Sequence, residues 1–324
     1  MDQLTVALTP DGPRLTRDPL ARNGSPGVLV RTELMGVCRS DLKEITGVRG
    51  GPSQFGHELV GVVEDGVLPV GTRVCLDPNV PVHRGSGFAR ALWVSGSEED
   101  LVRALPVAPD GVSARTLVFA EPTACAAHCV AMASRHLGTP PGSVTVLGAG
   151  VAGVLIAGLA DLGGAEVTLH NRGHDRLAFL AERGVLPGAL GREVPPSSQD
   201  VVVVATSFVV PDLLRDALDL VRPGGVVMLY GGTKAGDRLP GLDCDLDTVR
   251  RRESAWMAGW RGKPVVVGGS YGTGPADFPR AMAALANGLV VEPLITGEAD
   301  LADLPAELDR LITDRVLGKV LVRP

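Results

Sequence analysis

The chain has 324 residues, 45% of them hydrophobic and 21% charged, with a mean hydropathy of +0.20. Such a length corresponds to about two domains, and the apolar share excludes a disordered chain. The net charge of −6 and the scatter of the basic residues argue against a nucleic-acid partner, and no run of ~18 uncharged apolar residues marks a membrane span.

Met1-Asp2-Gln3-Leu4-Thr5 lacks a basic stretch followed by an apolar run, so no signal peptide is expected. The cysteines, at 38, 75, 125, 129 and 244, are too few and too irregular for a disulfide framework. A reduced, cytoplasmic protein is the expectation.

Residues 1 to about 120 read as β-rich, with β-branched runs at 28–34 and 59–64 punctuated by Gly and Pro. A turn at 66–71 leads into Thr72-Arg-Val-Cys-Leu. From about 123 the pattern becomes strand–helix alternation. Strands are predicted at 144–147, 166–170, 200–205 and 226–230, with helices at 151–163, 175–183 and 212–221 and a Pro223-Gly-Gly turn. This pattern predicts an α/β fold with a doubly wound parallel sheet. Residues 264–270 read as that sheet's last strand, and amphipathic helices at 278–288 and 304–313 precede a closing strand at 319–322. The expected division is residues 1–122 with 268–324 around an inserted nucleotide domain, 123–267.

Gly148, Gly150 and Gly153 form G-x-G-x-x-G around Val151 and Ala152. The motif follows a predicted strand and opens a predicted helix, the context that supports dinucleotide binding. A site for NAD(H) wants an acid about 20 residues on, for the ribose hydroxyls. The chain instead reads Leu169-His170-Asn171-Arg172, with Arg176 nearby. Arg172 offers a fixed charge and a planar fork to a 2′-phosphate, so NADP(H) rather than NAD(H) is expected.

Cys38-Arg39-Ser40-Asp41, Gly56-His57-Glu58 and Glu121-Pro122 supply a thiolate, an imidazole and carboxylates, donors that suit zinc. A Lewis acid together with a hydride carrier implies alcohol–carbonyl redox chemistry. Cys38 and His57 lie too far apart for a zinc-finger spacing, and composition alone allows both to be structural.

The chain resembles the zinc-dependent medium-chain dehydrogenase/reductase family, in its alcohol and polyol dehydrogenase branch. The segments that carry the likeness are Gly36-Val-Cys-Arg-Ser-Asp-Leu, Phe55-Gly-His-Glu-Leu-Val-Gly-Val-Val, Phe119-Ala-Glu-Pro-Thr-Ala-Cys-Ala-Ala-His, the glycine loop, Leu220-Val-Arg-Pro-Gly-Gly and Leu317-Gly-Lys-Val-Leu-Val. The resemblance implies a GroES-like β-rich catalytic domain split around a Rossmann domain. It implies zinc ligation by Cys38 and His57, with Glu121 at the third position, bound directly or through water, and Glu58 exchanging onto the metal. It also implies proton relay by Ser40 and orientation of the ligand histidine by Asp41.

The same resemblance implies a small alcohol or ketone substrate (a polyol, cyclitol, sugar or hydroxylated metabolite) and a homodimer, for which the 264–267 strand is the expected pairing edge. Two departures stand out. The four-cysteine lobe of many relatives is missing after Gly71-Thr-Arg-Val, where only Cys75 occurs, so one catalytic and no structural zinc is expected. Lys43 stands where relatives often carry a relay histidine. Two other readings are a zinc-free enoyl or quinone reductase and a non-catalytic nucleotide-binding protein.

Overall fold

The computed structural model describes residues 2–49, 52–314 and 316–324. It divides into two units, Met1–Glu121 with Phe278–Pro324, and Pro122–Asp277.

The first unit opens with a hairpin of β1 (Asp2–Thr9) and β2 (Gly12–Pro19), which the sequence reading did not anticipate. The β-branched run at 28–34 lies within β3 (Gly27–Gly36), buried at most positions because it is paired on both sides. Helix α1 (Arg39–Ile45) follows at once. Next come β4 (Glu58–Gly66), β5 (Arg73–Cys75), β6 (Ala91–Ser95) and the short helices α2 (Glu98–Ala104) and α3 (Ala114–Leu117).

Helix α4 (Ala120–Leu137) leads into the second unit. There β7 (Ser143–Leu147), α5 (Val151–Leu162), β8 (Glu166–His170), α6 (His174–Glu182), β9 (Gln199–Val204), α7 (Pro211–Leu220) and β10 (Val221–Leu229) alternate as predicted. Pro223-Gly-Gly is not a separate turn. It sits inside β10 where the register to β9 jumps between Val221 and Val226, since proline cannot donate to the ladder. Helix α8 (Leu246–Arg251) precedes β11 (Ala255–Trp260) and β12 (Lys263–Gly269).

The sheet order is β11-β12-β10-β9-β7-β8, parallel except for β11. A single parallel bridge from Leu169 to Leu190 stands beyond β8. The strand expected at 264–270 is therefore not the edge. The antiparallel β11 covers it, joined through Arg261 and Gly262, both with positive φ, the geometry of a tight hairpin turn.

Helix α9 (Asp277–Ala286), β13 (Ile295–Asp300), α10 (Leu304–Thr313) and β14 (Lys319–Arg323) complete the chain. In the first unit the sheet runs β13-β14-β3-β4-β5, with β6 also on β3. Its core gathers Val30, Met35, Phe55, Leu59, Phe88, Leu308 and Val322. The return to this unit falls at Phe278 rather than 268. The intervening segment stays tied to the second unit: Tyr271 N–H donates to Glu253 Oε1 (2.8 Å), and Asp277 accepts from Gly274 N–H (2.6 Å) while holding His128 (2.7 Å).

Candidate functional site

Strand pairing explains how residues distant in sequence meet in the first unit. Gly36, near the end of β3, pairs with Glu58 at the start of β4 and, on its other side, with Leu321 of β14. Cys38 lies two residues past Gly36, His57 one residue before Glu58, and Lys319 opens β14. One ligand atom from each of Cys38, His57 and Glu58 lies within 4.8 Å of the others.

Asp41, fully buried in the first turn of α1, joins the two segments. Its Oδ2 accepts from Cys38 N–H (2.8 Å) and its Oδ1 from Gly56 N–H (3.0 Å). The His57 ring faces a carbonyl: Nδ1 is 2.9 Å from Gln54 O and 3.5 Å from Asp41 Oδ1. A carbonyl only accepts, so Nδ1 carries a hydrogen and Nε2 is the ring nitrogen left to face other groups. Ser40 Oγ lies within hydrogen-bond distance of that Nε2, at 3.2 Å. Burial pushes the pKa of His57 down, but the charges of Asp41 and Cys38 and their hydrogen bonds outweigh it and raise it well above the usual value.

Glu58 has no exposed surface. Its Oε2 is paired with the Lys319 ammonium, itself buried, while Oε1 has no hydrogen-bond partner among the described residues. Gly36 makes room for the pair, since a Cβ there would lie 2.7 Å from Glu58 Oε2 and 3.4 Å from Lys319 Cδ. Burial lowers the pKa of Lys319, but Glu58, Cys38 and Glu121 together raise it. The structure thus gathers Glu58 with Cys38 and His57. Glu121, buried in the first turn of α4, is not one of that group and acts on Lys319.

A buried carboxylate oxygen without a partner is costly, and a carboxylate grouped with a thiol and an imidazole fits a cation. Three of the other thiols do not compete. Burial pushes Cys75 and Cys129 up to about 12 and Cys244 up to about 11, so they stay protonated near neutral pH. His83 is exposed in a backbone bridge to Ser95.

In the second unit Gly148 has φ +126, and a Cβ there would lie 2.7 Å from Ala205 O. Gly153, in the first turn of α5 with Val151 and Ala152, packs so close that a Cβ would fall 1.8 Å from Gly148 O. Above Gly150, the N-cap of α5, nothing lies within 4 Å of that position. A cradle of backbone N–H groups at a helix N-terminus fits a pyrophosphate. Asn171 Oδ1 accepts from Ala149 N–H (3.2 Å) and Nδ2 donates to Gly173 O (2.8 Å), so this side chain braces the loop. Arg172 is exposed just beyond β8, and Arg176 is half-buried in α6.

Sequence reasoning missed Lys319, Gln54 and Arg84. Lys319 had a signal, a lone lysine opening an otherwise apolar strand. The other two act through backbone contacts that spacing does not reveal.

Residues 24–124 match the alcohol dehydrogenase GroES-like domain family. The chain is 29% identical to glucose 1-dehydrogenase of Thermoproteus tenax, over 86% of this chain and 87% of that protein. It is 24% identical to L-galactonate-5-dehydrogenase of Escherichia coli, over 92% of each. The fold superposes on a dehydrogenase from Sinorhizobium meliloti 1021 bound to NADP, with 21% identity, both chains covered in full and a TM-score of 0.75.

Proposed function

We propose that the chain, whose residues 24–124 match the alcohol dehydrogenase GroES-like domain, is a medium-chain dehydrogenase/reductase: a zinc-dependent, NADP(H)-preferring dehydrogenase of a small polar secondary alcohol or its ketone. The observation that carries the reading is the orphaned Oε1 of Glu58 beside Cys38 and His57.

Cys38 Sγ, His57 Nε2 and Glu58 Oε1 would hold the zinc, which supplies Lewis acidity toward an alcohol or ketone oxygen. NADP(H) takes up or delivers the hydride. The Ser40 hydroxyl, within reach of His57, passes the substrate's hydroxyl proton. Asp41 holds Cys38 and Gly56 by their backbone N–H groups, so its carboxylate sets the spacing of the ligand pair. Lys319 holds one oxygen of Glu58, and the other has no hydrogen-bond partner among the described residues.

The cofactor preference rests on Arg172 and on the missing acid after β8. Glucose 1-dehydrogenase and L-galactonate-5-dehydrogenase, as named, act on polyhydroxylated compounds, which supports a polyol- or sugar-like substrate here. No helix among the described residues is long and apolar enough to cross a membrane; the free cysteines suit a reducing, cytoplasmic setting. A homodimer remains part of the reading, with β11 now the pairing edge, because Trp256 and Met257 are exposed on it; light scattering reads that assembly.

The test is metal content and cofactor affinity on protein purified without chelator. The expected result is about one zinc per chain and tighter binding of NADPH than NADH, a preference lost in Arg172→Asp. A chain that takes up no zinc on supplementation is not this enzyme, and equal affinity for the two cofactors removes the NADP(H) assignment.

A further inference from the structure

The loop that presents His57 is braced from outside by one segment, 84–88. Arg84 Nη2 donates to Gln54 O (3.1 Å), the same carbonyl that accepts from His57 Nδ1, and Nη1 donates to Phe55 O (3.3 Å) and Gly85 O (2.9 Å). Gly87 N–H adds a bond to Phe55 O (3.1 Å). Phe55 and Phe88 meet edge to face with ring centroids 4.9 Å apart, a contact worth about 0.5–1.5 kcal/mol beyond burial. The backbones nearly touch. Gly56 has φ +69, and a Cβ on it would lie 2.5 Å from Phe88 N, while one on Gly87 would fall 1.7 Å from Gly56 O.

Arg84 is an unusual brace. Among the described residues no carboxylate lies within ion-pair distance of its guanidinium, so the charge rests on carbonyl oxygens. Burial pushes its pKa down to about 10, against the opposing charges of Asp41 and Glu44, so it stays charged at neutral pH. A largely buried guanidinium is costly unless its donors are well used, and two of the three carbonyls it uses flank the His57 loop. The planar fork reaches both Gln54 and Phe55 at once, which a lysine's single ammonium cannot do with the same geometry. Arg84 also belongs to the short stretch after Cys75, the place where the four-cysteine lobe expected from the resemblance is missing.

We propose that Arg84 is a positioning residue for His57. Acting through the carbonyls of Gln54 and Phe55, it fixes the tautomer and the aim of the ring, so that Nε2 faces the metal. This inference rests on the metal reading above.

Cobalt(II) alone is the probe, added to the full chain stripped of metal. Wild type is expected to bind about one equivalent with the visible bands of a tetrahedral thiolate site. Arg84→Gln is expected to lower cobalt affinity roughly 10- to 100-fold and to shift those bands, with NADPH affinity unchanged because the glycine cradle is built from other residues. Arg84→Lys keeps the charge but not the fork, and is expected to fall between the two. Unaltered affinity and spectrum in Arg84→Gln overturn the positioning role. If that variant does not fold, an unaltered Arg84→Lys overturns it equally. A wild-type chain that binds no cobalt sinks the metal reading and this inference together, whereas binding that is indifferent to Arg84 sinks this inference alone.

Discussion

His57 and His128 are both sheltered from solvent and both bonded at each ring nitrogen, yet their partners make them opposites. His57 spends Nδ1 on a carbonyl and leaves Nε2 to a serine hydroxyl, a partner that a metal readily displaces. His128, on α4, lies between two carboxylates, with Nδ1 2.7 Å from Asp277 Oδ2 and Nε2 2.5 Å from Glu253 Oε1. Both of its nitrogens donate, so it is a cation with no lone pair left for a metal. The hydrogen bond to Asp277 raises its pKa most, burial opposes, and Glu253 adds to the rise. The contrast teaches that a histidine's role follows from what holds its second nitrogen. It also gives His128 a different task, pinning the segment that ends at Asp277 onto α4.

The comparison breaks most sharply by deleting each ring. His57→Ala is expected to bring zinc to background and lower kcat by at least about 10²–10³-fold, the loss seen when a group that stabilises developing charge is removed. His128→Ala is expected to keep its zinc. Metal analysis of the two variants decides, and zinc loss in His128→Ala would contradict the division of roles. A smaller effect is expected from Asp277→Asn, which removes a charged acceptor: destabilisation on the order of 2 kcal/mol in urea unfolding, with zinc retained. An unchanged unfolding midpoint would mean that the clamp contributes nothing.

The smallest effect is in pH. The folded-state pKa of His128 lies above its unfolded value near 6.5. The clamp's stabilisation is therefore complete below about pH 6.5 and fades as pH rises through the folded-state pKa. The stability gap between wild type and His128→Asn should narrow as pH rises above about 6.5. A gap of constant size over that range would show the ring to be neutral throughout.

Much of this was legible where a local pattern has a local cause. Val144-Thr-Val-Leu followed by Gly148, Gly150 and Gly153 makes its strand, turn and helix from neighbouring residues, and the structure places them accordingly. Cys38 and His57 were legible as residue types, but their meeting depends on the Gly36–Glu58 register, which no spacing encodes. The partner of Glu58, Lys319, lies 261 positions away along the chain, so no spacing reveals the pair. Strand β11 escaped because Ala255-Trp-Met-Ala-Gly-Trp has no alternating pattern; its signal was the Arg261-Gly262 pair, a tight turn. The hairpin of β1 and β2 went unread because its alternating Leu4, Val6 and Leu8 are interleaved with polar residues and its mate contains two prolines.

The position of Lys319 also sets an order of events during synthesis. Cys38, His57 and Glu58 leave the ribosome early, and the strand that carries their cationic neighbour leaves after the whole of the second unit. Until then β3 has a vacant edge where β14 will dock, and Glu58 has no ammonium beside it. Closing so long a loop is slow relative to local folding. The nucleotide-binding unit, contiguous in sequence, has all its strands available sooner. A nascent chain therefore acquires its cofactor cradle first and its finished ligand set last, and a metal that arrives early meets three donor side chains whose geometry the final strand has yet to impose.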